Sequence, residues 1–366
     1  MKILSSEAVV RLEGRDIVRP KTRYVMPNEM AWELTHNIKD VEWKISAVDC
    51  YERRYAGQDL NGKSLCIVRY HGIGDMLMVT ALPHYLKHLY PDATINVYSN
   101  ESYASSVWDG NESLSVRTAL SLPLTLDAVR QYDYHLFFDG MIECNAERDQ
   151  GNAYDDMFAF AGMTDVPAAQ KVPHLYRRDT DSEWVDAKHI NLDEPYYVYC
   201  MHASAPQRTY PTAQSKEVIE RLLEEHKDYK VYVMSEVGEP IVLHERCVWV
   251  GRLKTWRHAI PLIRGARAVI TPDSGFGHVA ACFPNVPVVS LWASFSYESR
   301  AKHYPNHHPL TAYGACGSAP CWQHGGALPV GKCKMCAAYV GDDGYCAALS
   351  TITPERIVEA VNAYGK

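Results

Sequence analysis

The chain has 366 residues, more than one ordinary core accommodates, and its length suits two domains. With 47% hydrophobic and 22% charged residues it has a soluble, globular composition, and no run approaches the length of a membrane span. The formal net charge of −7 speaks against a nucleic-acid partner, since phosphates select basic surfaces.

The opening MKILSSEAVVRLEGRD has no sustained apolar core after its lysine, which reads against a signal peptide and for a cytoplasmic protein. Residues 1–62 form an extension mixing short β-like runs, such as VEWKISAVDCY, with charge. SLCIVRY (64–70) is an apolar strand leading into the loop HGIGDM and then a helix. Leu82, Leu86 and Leu89 recur at helical spacing, and Pro83 predicts a kink. TINVYS (94–99) and YHLFFDG (134–140) are further strands. Strand, helix and strand in alternation predict a parallel sheet.

The polar stretch 177–194 reads as the interdomain linker, dividing a first α/β domain (63–185) from a second (186–366). In the second, PYYVYC is a strand, followed by a helix with Ser215 as its cap and Val218, Ile219, Leu222 and Leu223 inward. KVYVMS (230–235), ARAVIT (266–271) and VPVVSLW (286–292) are strands, with TWRHAIPLIRGA and GFGHVAACF as helices. Thr353 caps a last helix with Pro354 in its first turn. The prediction is two tandem α/β domains with parallel sheets, in which ligands bind at the carboxyl ends of strands, here in the cleft between domains.

Three loops could carry chemistry. Gly72-Ile73-Gly74-Asp75 begins like a dinucleotide fingerprint, but Leu77 stands at the third glycine position and Asp75 where phosphate needs bare amides. Asp75 is then either a helix N-cap or a general base for an acceptor hydroxyl. Gly275-Phe276-Gly277-His278-Val279-Ala280 follows a strand and fits the looser glycine–x–glycine–x–x–alanine form. No acidic residue clearly ends the next strand, so this loop reads as a phosphate site or a tightly packed cap, and not as a nicotinamide site. MHASAPQRTYP (201–211) offers hydroxyls, amides and Arg208, which is either a two-pronged diphosphate ligand or a solvated surface cation.

Of 11 cysteines, Cys50, Cys66, Cys144, Cys200, Cys247 and Cys282 are scattered and read as plain thiols. The other five, Cys316, Cys321, Cys333, Cys336 and Cys346, crowd one segment. Four thiolates suit a structural zinc or iron; free thiols or a redox role are the alternatives.

The three loops together resemble one family. RYHGIGDMLMVTALPHYLKHLYPDATI is similar to the N-terminal signature of the heptosyltransferase-type glycosyltransferases of family 9, and ITPDSGFGHVAACFPNVPVVSLWA to their second signature. MHASAPQRTYP resembles the donor-diphosphate loop between them, and the likeness runs over about residues 62–364. YAGQDLNGKSL is similar to the lead-in of relatives that carry this module at the end of a longer chain.

The resemblance implies a GT-B architecture, two Rossmann-like domains facing across a cleft. It implies inverting transfer, without a catalytic metal, of a heptose-like or other hexose sugar from a nucleotide-diphosphate donor. ADP-heptose is a candidate donor, and the acceptor is a hydroxyl on a glycan or protein. Asp75 falls on the family's base. Gly74, Ser204, Asp273, Ser274, Gly275, Phe276, Gly277 and His278 fall in the donor site, with Arg208 where the family has lysine. Glu239 matches a ribose ligand, and Leu253 and Thr255 the nucleobase cradle. The cysteines resemble the finger of the autotransporter heptosyltransferases, which implies Cys316, Cys321, Cys336 and Cys346 as ligands with Cys333 the alternative. A homo-oligomer is compatible with this. Three rival readings are transfer to modified DNA, a nucleotide-sugar-binding module without catalysis, and a nicotinamide dehydrogenase.

Overall fold

The structure is a computed structural model. It describes residues 2–365 apart from 7–9, 13–14, 19–20, 23, 27–30, 32–33, 37, 39–40, 48–52, 70–71, 100–105, 112, 120–123, 139–150, 177, 188–189, 204–207, 236–243, 252, 254, 317–318 and 322–345. The chain forms two compact units, Met1–Tyr176 and Arg177–Lys366. Among the described residues, no helix is long and apolar enough to cross a membrane.

The first unit begins with short strands. β1 (Lys2–Ser6) pairs antiparallel with β4 (Tyr24–Met26) and β5 (Trp43–Ala47), while β2 (Val10–Leu12) pairs with β3 (Arg15–Val18). Then come β6 (Ser64–Val68), β7 (Thr94–Ser99), β8 (Val116–Ala119) and β9 (Tyr134–Phe137), a parallel sheet in the order β8-β7-β6-β9. Leu65, Cys66, Ile67 and Val68 are all buried, as expected of a central parallel strand covered on both faces.

The kink expected at Pro83 is instead a break at Thr80. One helix spans Ile73–Val79 and a second Ala81–Leu89. Pro83 therefore lies in the first turn of the second helix, where its missing amide is tolerated. The Thr80 hydroxyl donates to the Leu77 carbonyl and accepts from the His174 amide at 2.7 Å, which holds the break in place. Leu82 and Leu86 are buried, but Leu89 is 44% exposed, so the apolar face ends a turn early.

The second unit has six parallel strands: β10 (Tyr196–Cys200), β11 (Lys230–Met234), β12 (Cys247–Gly251), β13 (Ala268–Pro272), β14 (Val288–Trp292) and β15 (His307–Thr311). Their order is β12-β11-β10-β13-β14-β15, the doubly wound order of dinucleotide-binding domains. The Thr212–Glu225 and Pro354–Tyr364 helices flank the sheet, and Val218, Ile219, Leu222, Leu223, Ile357, Val358 and Val361 share one core with the strands. Thr353 caps the last helix through the Arg356 amide, as expected. Ser215 does not cap its helix. The N-cap is Pro211, and Ser215 is buried in the first turns, accepting a hydrogen bond from Tyr199 at 3.1 Å.

The stretch 177–194, read as a polar linker, contains a 3-10 turn (Asp179–Asp181) and a short helix (Glu183–Ala187). Asp181 and Arg257 are buried there as a two-pronged ion pair, with contacts of 2.8 and 2.6 Å.

Candidate functional site

Both parallel sheets reverse winding direction at their first strand, and open α/β sheets bind ligands beside such a reversal. In the first unit the reversal lies between β6 and β9. Arg69 follows β6 directly, and its side chain is 3% exposed. It donates to the Phe138 carbonyl just past β9 at 3.1 Å, and to Asp75 Oδ2 at 2.9 Å. One buried guanidinium thus ties together the two strand ends and the carboxylate of the glycine loop. Such a charge-assisted contact is stronger than a neutral hydrogen bond and sets the direction of the carboxylate.

The cap reading of Asp75 is overturned. The N-cap of the Ile73–Val79 helix is Gly72, and Asp75 is the third helical residue, after Gly74. Gly72 has φ +82°, and a Cβ there would meet Asp75 Oδ2 at 2.5 Å. The glycine is required twice, for its backbone and to clear the carboxylate. Gly72→Ala should therefore lower stability by about 1–2 kcal/mol and displace Asp75. The check is chemical denaturation beside an activity assay: a large loss of turnover with only that small loss of stability is the expected pattern.

In the second unit the reversal lies between β10 and β13. Arg208 comes from the loop after β10, and Asp273 directly follows β13. Arg208 Nη1 donates to the Asp273 carbonyl at 3.3 Å and lies 3.6 Å from Asp273 Oδ2. Arg208 is thus not the solvated surface cation of the alternative reading; its side chain is 15% exposed. Ser274 shares a hydrogen bond with Thr271 at 3.0 Å and is the N-cap of the Gly275–Ala281 helix. Gly275 and Phe276 are half-buried at its start. Gly277 has room for a methyl group within the protein, whose nearest atoms would be 3.6 and 3.7 Å away on Thr271 and His307. Packing within the chain therefore does not account for this glycine.

His278 is buried, and its Nδ1 lies 2.5 Å from the Tyr304 hydroxyl. Leu253 is buried, while Thr255 caps the Trp256–His258 turn by accepting from the Arg257 amide at 3.1 Å. Ser204 and Glu239 lie outside the described residues.

Several neighbours were not visible in the sequence. Arg69 is the first letter of the RYHGIGDM stretch, and a lone arginine ending an apolar strand was the available signal. His202, at the end of β10, pairs through Nδ1 with the Ser235 hydroxyl at the end of β11, and burial holds its pKa below the ordinary histidine range. Tyr304 and His307 come from a segment with no motif.

Of the cysteines, Cys316 and Cys346 are partly buried against the same core cluster, and Cys321 is partly buried nearby in sequence. Burial lifts the Cys346 thiol above its ordinary pKa against the Leu349 and Ala348 amides, and Cys316 lifts it further. Cys333 and Cys336 lie outside the described residues. Among the described residues, no group of three or more histidine, cysteine, aspartate or glutamate side chains is arranged to hold a metal.

Residues 143–312, under half of the chain, match the family model for glycosyltransferase family 9 (heptosyltransferase). The matched stretch contains Arg208 and the 273–278 loop; Asp75 and the cysteine segment lie outside it. No curated protein matches the chain in sequence. The fold is similar to that of E. coli ADP-heptose LPS heptosyltransferase II, at 18% identity and a TM-score of 0.58, over 83% of this chain and 98% of that one. It is also similar to a family 9 glycosyl transferase from Veillonella parvula, at 12% identity and a TM-score of 0.59, over 84% and 98%. The iron-containing dodecameric glycosyltransferase TibC from enterotoxigenic E. coli, at 13% identity and a TM-score of 0.59, is matched over 99% of this chain and 90% of that one. The matched stretch supports family 9. At these identities the structural likeness speaks for the fold alone.

Proposed function

We propose that the protein is an inverting glycosyltransferase that moves a heptose-like or other hexose sugar from a nucleotide diphosphate to an acceptor hydroxyl on a glycan or protein. The observation that carries this reading is the family 9 match over 143–312, which contains the Arg208–Asp273 pair at the winding reversal of the second sheet. Arg208 and the amides at 274–278 take up the charge of the departing diphosphate. Asp273 orients Arg208, its carbonyl accepting at 3.3 Å and its carboxylate lying 3.6 Å away as a counter-charge. Asp75, directed by Arg69, removes the acceptor proton as its oxygen attacks the anomeric carbon from the face opposite the nucleotide. No step in this scheme calls for a catalytic metal.

ADP-heptose heads the candidate donors because ADP-heptose enzymes stand among the fold neighbours. The test is a panel of ADP-, GDP- and UDP-sugars incubated with the protein and read by mass spectrometry. Release of one nucleoside diphosphate above the others supports the reading. No hydrolysis or transfer with any donor sinks it. NADH turnover by the 275 loop would restore the dehydrogenase alternative.

The cysteine segment is proposed as a structural metal finger of Cys316, Cys321, Cys336 and Cys346, with Cys333 as the alternative fourth ligand. Its support is the joint packing of Cys316 and Cys346 on one core, together with an iron-containing fold neighbour. A metal there would hold thiolates and stabilise the second unit without entering the reaction. Elemental analysis should find close to one zinc or iron per purified chain, reduced by Cys346→Ser. A metal-free wild type ends the finger. The dodecameric neighbour also makes self-association a proposal to check by light scattering.

A further inference from the structure

We infer that Tyr304 is a positioning residue that fixes His278 as the tautomer carrying its proton on Nε2, and that His307 holds the same turn through the Gly277 carbonyl. The pieces lie far apart in sequence. His278 belongs to the Gly275–Ala281 helix, Tyr304 precedes β15, and His307 is the first residue of β15. The Tyr304 ring stands edge-on to both imidazoles, 5.7 Å from His278 and 5.0 Å from His307.

Each proton can be placed by its partner. His307 Nε2 lies 3.2 Å from the Gly277 carbonyl. A carbonyl only accepts, so Nε2 of His307 carries the hydrogen and Nδ1 is bare. Consistently, Nδ1 of His307 is buried with no hydrogen-bond partner among the described residues. Burial, and then the neighbouring His278, push the His307 pKa down to about 3, so this ring is neutral.

In the neutral form of His278 the question is which nitrogen is protonated. Nδ1 faces the Tyr304 hydroxyl at 2.5 Å. A phenol is a stronger acid than a neutral imidazole N–H, so the hydroxyl donates and Nδ1 accepts. The proton of His278 then resides on Nε2. That is the tautomer in which Nε2 can donate to an anionic oxygen; the other presents a lone pair that repels it. The consequence for binding rests on the donor reading proposed above.

The experiment reads tautomer and binding separately. Long-range proton–nitrogen NMR of the full chain labelled with 15N-histidine distinguishes the two neutral forms. The signals are assigned by their loss in His278→Gln and His307→Gln. In the wild type both rings should report Nε2–H. Tyr304→Phe keeps the ring and removes only the hydroxyl, and His278 should then become a mixture of tautomers. Titration calorimetry with ADP should show about tenfold weaker binding to Tyr304→Phe. A wild-type His278 in the Nδ1–H form, or an unchanged tautomer in Tyr304→Phe, overturns the inference. The expected tautomers with no ADP binding by the wild type support the positioning role and overturn the donor reading instead.

Discussion

Asp75→Ala should lower sugar transfer by about 10²- to 10⁴-fold, the usual contribution of a general base, while ADP binding stays within about twofold of the wild type. The separation follows from placement. Asp75 belongs to the first unit and follows β6, whereas Arg208, Asp273 and His278 belong to the second. The carboxylate owes its direction to Arg69, whose other arm is fixed on the Phe138 carbonyl. Removing the carboxylate takes away a charge-assisted bond from that buried guanidinium, so some instability is also expected. Asp75→Asn controls for this. It keeps an oxygen to accept from Arg69 but cannot take a proton at neutral pH. Asp75→Asn should thus fold nearly as well as the wild type and be as inactive as Asp75→Ala. Near-normal turnover in Asp75→Asn would remove Asp75 from the role of base, and lost ADP binding would show that it holds the donor instead.

The sequence pattern carried the sheet strands well, because parallel strands covered on both faces are short, apolar and β-branched. β6, β7, β9, β10, β11 and β14 lie within the runs read from the sequence, and β13 runs one residue beyond its run, to Pro272. Local polar features were less legible. Ser215 has the chemistry of a cap, yet the helix starts earlier at Pro211 because Tyr199 and the core claim the serine. Asp75 also has cap chemistry, but Gly72 with its positive φ already opens that helix. In both cases a tertiary partner decided the role, and no local pattern encodes one. The same limit hid Arg69, Tyr304 and His307. Each acts on a site residue through one directed contact, and for Tyr304 and His307 that contact crosses some 30 positions of chain.

The largest stability effect is expected at Asp181. Residues around it are polar in sequence, and polarity is the reason the stretch reads as a linker. Composition does not reveal that one of its carboxylates is enclosed. Asp181 accepts from Arg257 Nε at 2.8 Å and Nη2 at 2.6 Å, and from the Arg178 amide at 2.9 Å. Arg257 is wholly buried, so Asp181→Ala takes from an interior guanidinium the carboxylate that accepts two of its hydrogen bonds. Breaking such a pair costs about 3–5 kcal/mol, a large fraction of the stability of an ordinary domain. The midpoint of urea unfolding should fall accordingly. The double change Asp181→Leu with Arg257→Met, which removes both charges, should recover much of the loss. The pH dependence has a definite sign. Burial alone would raise the pKa of Asp181, but the hydrogen bonds from Arg257 and Arg178 outweigh it and hold the carboxyl below its ordinary value. The unfolded chain therefore binds this proton more readily than the folded one. The contribution is present in full above about pH 4, the ordinary carboxylate range, and is lost as pH falls through the lowered folded-state value. Wild type and Asp181→Ala should accordingly converge in stability on acidification, and a gap that stays constant from neutral pH down to strong acid would show that the Asp181 charge is not what stabilises the second unit.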